Sequence, residues 1–306
     1  MSFHELTKSQ NAGRGWRRLL TAASASAIAA GLASAPALAQ DKAQGGTQDK
    51  APLHCSIDPT FAPHAMVNLK GELEGFQIDL FTEVARRLGR EINIEPMAHA
   101  GEFPALASKR IDFICGPMTV TEARAQTILF TEPYLWTAWQ FAIKEGNPSL
   151  TSEEDLRGKT FSVIKGIPAE KWFHDNAERL NLKVLPFEGQ ADAIQAVLQN
   201  RAYAYVNGAS AVKYVATQVS GIVPDWVMPE TRTAWATPFH SDSAALRQEI
   251  EDALVCMKRD GFIAEISEKW FGVAPKPGDA EITEFPGYGT PGFKGYDITP
   301  QNPDCG

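Results

Sequence analysis

The stretch RIDFICGPMTVTEARAQTILFTEPY, residues 110–134, decides the fold of this chain. Ile111 to Cys115 reads as a short buried strand. Thr121-Glu122-Ala123-Arg124 then opens a helix with Thr121 a good N-cap, and FTEPY at 130–134 begins a long extended crossing through Ile143. Strand, helix and strand in so short a span argue for α/β architecture built from parallel βαβ units. The flanking segments agree. Upstream, Leu53 to Ile57 reads as a strand, DPTFAPHA as a proline-containing loop, Ile92 to Ile94 as a strand and Glu102 to Ser108 as a short helix. Between them Phe76, Leu80, Val84 and Leu88 recur at four-residue spacing and Gly89 follows as a C-cap glycine would, so Phe76 to Leu88 is an amphipathic helix.

Downstream the alternation repeats. Thr160 to Ile164, Lys183 to Pro186 and Tyr203 to Val206 read as strands, separated by helices from Ala169 to Leu180 and from Gln190 to Gln199. Ser241 to Phe271 returns to helix, interrupted at Gly261, and residues 276–306 form a tail rich in proline and glycine that has no period and is expected to lie on the surface, pinned by Cys305.

Composition sets the outer limits. The chain has 306 residues, 44% hydrophobic and 22% charged, enough for two modest cores and incompatible with disorder throughout. Arg14, Arg17 and Arg18 precede an apolar, alanine-rich run that ends at Ala37-Leu38-Ala39, so residues 1–39 read as a secretory signal peptide cleaved near Ala39, with a flexible leader at 40–50. Arg17-Arg18 only partly resembles a twin-arginine signal, and no cysteine follows the cleavage site to carry a lipid anchor. The expected location is the periplasm, without a membrane span. Removing residues 1–39 takes four basic residues and one acid, leaving 25 basic against 36 acidic residues and a net charge of about −11. Such a chain is a poor partner for nucleic acid or anionic lipid. Four cysteines, Cys55, Cys115, Cys256 and Cys305, permit two disulfides in an oxidising compartment, their pairing left open. No CxxC or CxxH spacing suggests a metal, and no cofactor is expected.

The best candidate site is the loop-to-helix junction PMTVTEAR, residues 117–124, at the C-terminal end of the strand Ile111 to Cys115, where open α/β sheets bind ligands. Pro117, backbone N–H groups, the Thr119 hydroxyl and the Arg124 guanidinium converge there on space for one carboxylate, the arginine supplying a bidentate fork. Taken alone, Arg124 is better read as a solvated helix arginine.

A resemblance changes that weighting. GFQIDLFTEVARRLG, RIDFICGPMTVTEARAQTILFTEPY and the closing DGFIAEISEKWFG, in this order and spacing, resemble the extracellular solute-binding proteins of polar amino-acid ABC transporters, over most of residues 51–272. The resemblance implies a type II periplasmic-binding-protein fold, two α/β lobes joined by two crossing strands, with lobe I at 51–136 plus 232–275 and lobe II at 137–231. It implies a monomer that traps a small carboxylate ligand between its lobes and delivers it to an ABC transporter permease. Arg124 falls where the family's arginine holds the ligand carboxylate, Thr119 where a hydroxyl or backbone group joins it, and Phe61 where an aromatic stacks on the ligand. Asp58 falls where some members contact a cationic side chain, although an aspartate before Pro59 is as readily a turn residue. His99, Trp136, Trp139, Tyr203 and Tyr205 lie near cleft-lining segments, where core packing is the commoner fate of aromatics.

Two departures stand out. Gly166-Ile167-Pro168 replaces a Gly-Thr-Thr turn, and proline removes a backbone donor. NRAYAYVNG, residues 200–208, replaces a GRxDAxxxD-like motif, placing Gly208 where the family has an aspartate for the ligand ammonium, with Asn207 beside it. The expected ligand therefore keeps a carboxylate and either lacks the usual α-ammonium or supplies its cation elsewhere, and Asn207 suits a hydroxyl, amide or keto group. The rival class is an enzyme of the periplasmic cyclohexadienyl dehydratase type, for which Glu102, Glu132 and His99 are the available acids and bases. A soluble ligand sensor is the third class.

Overall fold

The computed structural model describes residues 50–305; the signal segment and nearly all of the leader expected from the sequence lie outside the described residues. The chain opens with β1 (Leu53–Ile57), the small hairpin β2 (Met66–Val67) and β3 (Leu73–Glu74), helix α1 (Phe76–Leu88) and β4 (Ile92–Pro96). There follow α2 (His99–Ala107), β5 (Phe113–Ile114), β6 (Met118–Thr119), the single turn α3 (Glu122–Ala125), β7 (Ile128–Phe130) and the long crossing strand β8 (Leu135–Lys144). The second series is β9 (Thr160–Ile164), α4 (Pro168–Asp175), β10 (Lys183–Phe187), α5 (Gln190–Leu198), β11 (Ala204–Gly208) and α6 (Ala209–Gln218). The return crossing is β12 (Ile222–Ala236), followed by β13 (Pro238–His240), α7 (Ala244–Arg259) and α8 (Phe262–Phe271).

These strands form two main sheets, one of order β4-β1-β5-β13-β7 and one of order β10-β9-β11-β8-β12-β6. Each defines a lobe. β1 runs parallel to β4 and β5, and β9 parallel to β10 and β11, with antiparallel strands completing both sheets. The crossing strands β8 and β12 pair antiparallel from Leu135↔Trp235 to Lys144↔Ile222, with two register breaks in β12. The type II periplasmic-binding fold is thus present.

Local chemistry explains the elements. α1 buries Phe76, Leu80 and Val84 in the first core with Leu53, Phe113 and Leu254, and Gly89 ends the helix at φ 62° in the left-handed region. In the second lobe Phe141, Phe161 and Phe173 pack as one aromatic cluster against Val206. α2 begins three residues earlier than the sequence suggests because the Asp58 carboxylate accepts the N–H of His99, at 3.3 Å. α4 stops at Asp175, where the Asn176 side-chain amide takes the Trp172 carbonyl at 2.8 Å. Met118 and Thr119, read as loop, form a strand instead because β12 offers them an edge, Trp235↔Thr119 and Ala236↔Met118.

The cysteines pair as Cys55–Cys115, between β1 and the residue just after its neighbour β5, and as Cys256–Cys305, which ties the tail to α7. The tail does more than lie on the surface. Its Phe285 N–H donates to Glu132 Oε2 (3.0 Å), its Thr283 carbonyl accepts from Lys258 Nζ (2.8 Å), and its Gly289 N–H donates to Glu251 Oε1 (2.6 Å). Beneath it lie two buried ion pairs, Lys258–Glu132 at 2.7 Å and Arg247–Glu251 at 3.2 Å. Among the described residues no helix is long and apolar enough to cross a membrane.

Candidate functional site

A narrow cavity of about 50 Å³ lies between the ends of the two sheets. Of the residues expected at the site, Arg124, Thr119, Phe61, Asp58, Pro117, His99, Ile167 and Asn207 all line it. Gly166, also expected there, is not among the lining residues, but its carbonyl accepts from Arg124. Trp139 joins them, whereas Trp136 bonds the tail carbonyl of Gly278, Tyr203 bonds Pro148 and Tyr205 is buried in the second core.

Arg124 is set by the turn that contains it. Thr121 Oγ1 accepts the Arg124 N–H at 3.2 Å, fixing α3, and the side chain folds over the Phe103 ring with Cζ 4.6 Å from its centroid. Nη1 donates to the Thr119 carbonyl (2.9 Å) and Nη2 to the Gly166 carbonyl (3.0 Å) across the cavity. Burial pulls its pKa down to about 10, which leaves it charged at neutral pH. Gly166 holds φ 83° and gives its N–H to Glu170 Oε2 at 2.7 Å, so this turn faces the arginine with an acceptor. The loss of donors expected from Pro168 is therefore compounded at Gly166.

Asp58 follows β1, and its oxygens are well occupied: Oδ1 accepts the Thr60 N–H (2.8 Å) and hydroxyl (2.7 Å), Oδ2 the His99 N–H. The turn reading of this aspartate is realised while it still lines the cavity. His99 Nδ1 lies 3.1 Å from Glu102 Oε2 without hydrogen-bond alignment, and burial, then the Arg124 charge, lowers the imidazole to about 4. Glu102 is buried behind it, its carboxyl pushed well up by desolvation and then by Asp58. Asn207 is tied within its own lobe: Oδ1 accepts the Gly208 N–H at 2.8 Å and Nδ2 donates to the Tyr205 hydroxyl.

Sequence reasoning missed Trp235 and Thr137, both on the crossing strands. Trp235 Nε1 donates to Thr119 Oγ1 at 3.0 Å, its ring lies edge-on to Phe61, and its benzo edge covers Gly208. A Cβ on Gly208 would stand 2.4 Å from Trp235 Cη2 and Cζ2 and 2.8 Å from Thr137 Oγ1, so only glycine fits. His64 was missed too. It is fully buried among Phe61, Phe76, Trp235 and Phe271, and its Nε2 meets Ser210 Oγ on α6 at 2.8 Å.

Burial lowers the His64 pKa to about 3, while an unfolded imidazole takes a proton below about 6.5. Its contribution to stability is therefore complete above about pH 6.5 and falls by about 1.4 kcal/mol per pH unit toward pH 3. His99 acts in the same direction. Glu251, raised to about 8 by burial, acts in the opposite sense, its contribution being lost as pH rises from about 4.5 through 8. Melting curves between pH 7.5 and 4 should fall less steeply on the acid side for His64→Gln than for the parent. Equal acid slopes would remove His64 from this account.

A cleft between two α/β sheets on crossing strands, with a half-buried arginine on the single turn α3, defines a solute-binding protein. The chain belongs to the bacterial extracellular solute-binding proteins, family 3, which it matches over residues 53–273; the tail lies beyond that span. It is 24% identical over 257 residues to the L-cystine-binding protein TcyJ of Escherichia coli (strain K12), covering 84% of this chain and 96% of that protein. An ancestral arginine-binding protein bound to arginine superposes with a TM-score of 0.69 at 31% identity, covering 73% of this chain and 99% of that one. The ancestral amino acid-binding protein AncCDT-1, described as a precursor of cyclohexadienyl dehydratase, gives a TM-score of 0.65 at 27% identity, with 72% and 95% coverage.

Proposed function

We propose that this protein is the periplasmic, monomeric capture component of an ABC importer. It closes lobe I (51–136 plus 232–275) and lobe II (137–231) around a small carboxylate-bearing solute and presents the closed form to a membrane permease. The observation that carries this reading is Arg124, half-buried and charged in the cavity, with a backbone carbonyl from each wall as its present partners. Carbonyl dipoles are weaker partners for a guanidinium than a carboxylate is. A carboxylate at the free edge of the fork, with Thr119 beside it, gains charge-assisted hydrogen bonds from lobe I, while Trp139 and Ile167 cover it from lobe II. Contacts from both walls to one ligand are what favour closure.

Native mass spectrometry of protein recovered from its own compartment should reveal the added mass of a small acid. That acid at a hundredfold over its dissociation constant should stabilise the fold by about 2.7 kcal/mol. An apo mass combined with no thermal shift across amino, oxo and hydroxy acids counts against the reading.

The likeness to AncCDT-1 and the buried Glu102 carboxyl next to His99, pushed well up by desolvation, favour one second reading, acid–base chemistry of the dehydratase type. Turnover of prephenate or arogenate by the purified protein would establish it in place of capture.

A further inference from the structure

The cavity has an unusual charge inventory. Arg124 is its one fixed cation and Asp58 the only acid among the residues that line it. Asp58 already holds three donors from its own lobe. Glu102 stands behind His99 and is not among the residues that line the cavity, its carboxyl pushed well above the usual range by burial. The indole of Trp235, which packs with the first core, occupies the space that any side chain at position 208 would need, and on the opposite wall Asn207 has turned its amide to Tyr205 and Gly208. No wall offers a ligand ammonium a free carboxylate, and an ammonium desolvated there would cost several kcal/mol, on the order of the penalty for an unpaired buried charge. The polar atoms left over are neutral. Thr137 Oγ1 is buried and without a hydrogen-bond partner among the described residues, on a residue that lines the cavity and is only 6% exposed.

We propose that the ligand is an ammonium-free hydroxy or oxo acid: its carboxylate on Arg124, its neutral oxygen on Thr137 Oγ1, and its carbon skeleton against the Trp235 indole. This rests on the carboxylate reading above and makes Trp235, Gly208 and Thr137 the residues that set specificity. The hydroxyl of Thr137 donates to a keto oxygen or accepts from a hydroxyl, so either oxidation state is served. A site built to bond an oxygen rejects the amine analogue strongly, because the ammonium arrives without an anionic acceptor and strips its own hydration.

The test is calorimetry on the mature protein with skeleton-matched probes: pyruvate, lactate and L-alanine; then 2-oxoisovalerate, 2-hydroxyisovalerate and L-valine. At least one oxo or hydroxy acid should bind about a hundredfold tighter than its matched amino acid. Thr137→Val should cut that affinity about tenfold with an unchanged or higher melting temperature, since the variant removes an unpartnered buried hydroxyl. An amino acid that binds more tightly than its matched acids overturns the proposal, and so does a panel in which nothing binds. Arg124→Gln separates the two levels. Amino-acid binding that Arg124→Gln abolishes sinks only the ammonium-free class and keeps the carboxylate reading; binding of any probe that is indifferent to Arg124→Gln sinks both.

Discussion

Arg124→Gln is expected to weaken capture of the proposed carboxylate solute by roughly thirtyfold to several thousandfold, the equivalent of about 2–5 kcal/mol for truncating one member of a buried, hydrogen-bonded charge pair. Glutamine keeps a polar side chain of moderate length and removes both the charge and the planar fork. Arg124→Lys keeps the charge and loses the bidentate geometry, so its affinity should fall between the two. The fold should survive, because Arg124 touches its surroundings through one ring face and two carbonyls. Calorimetry with the acid identified by native mass spectrometry gives the affinities, and a melting curve separates binding from folding. Affinity within threefold of the parent, in a folded Arg124→Gln protein, would mean that the solute is held elsewhere.

The second large effect concerns stability. Lys258→Met is expected to cost about 3–5 kcal/mol, because it leaves Glu132 buried without its cation. Methionine nearly matches the lysine in volume, so the cost comes from charge and lost donors, with little from a cavity. Lys258 Nζ also donates to the Pro133 carbonyl (2.8 Å) and to Thr283 in the tail, both of which lose their partner. The double variant Lys258→Met/Glu132→Gln should recover part of the loss, since the amide keeps an acceptor for the Phe285 N–H and carries no charge. Urea unfolding of the three proteins measures the differences at constant m-value. A single-variant cost below about 1 kcal/mol would show that the pair is solvated in ways its burial denies.

Elements whose cause is local were legible in the sequence. α1 announces itself through four-residue spacing and Gly89, and the α3 turn through Thr121, because helix periodicity and caps act over a few residues. β6 was not legible, since its two residues become a strand only by pairing with β12, more than a hundred positions away. The arginine half of the candidate site could be read because strand end, N-cap and Arg124 are contiguous. The other half could not: Trp235 and Thr137 meet Gly208 only when two antiparallel crossings and β11 come together, and no local pattern encodes that meeting. The departure at Gly208 was visible, but its steric reason lay in a residue of another strand. The tail illustrates the same limit, for a stretch without period gives no sign that its backbone groups satisfy the buried Glu251 and Lys258 of α7 and the buried Glu132.

The strand order carries a consequence for how the chain assembles. The core of the second lobe is drawn almost wholly from the continuous stretch between Leu135 and Ala236. The first sheet stays incomplete until β13 arrives to pair with β5 and β7, and its core until α7 and α8 cover it. Short-range contacts form early and distant ones wait for loop closure. The second lobe should thus acquire hydrogen-exchange protection ahead of the first during refolding, with the Cys256–Cys305 bond among the last links to form.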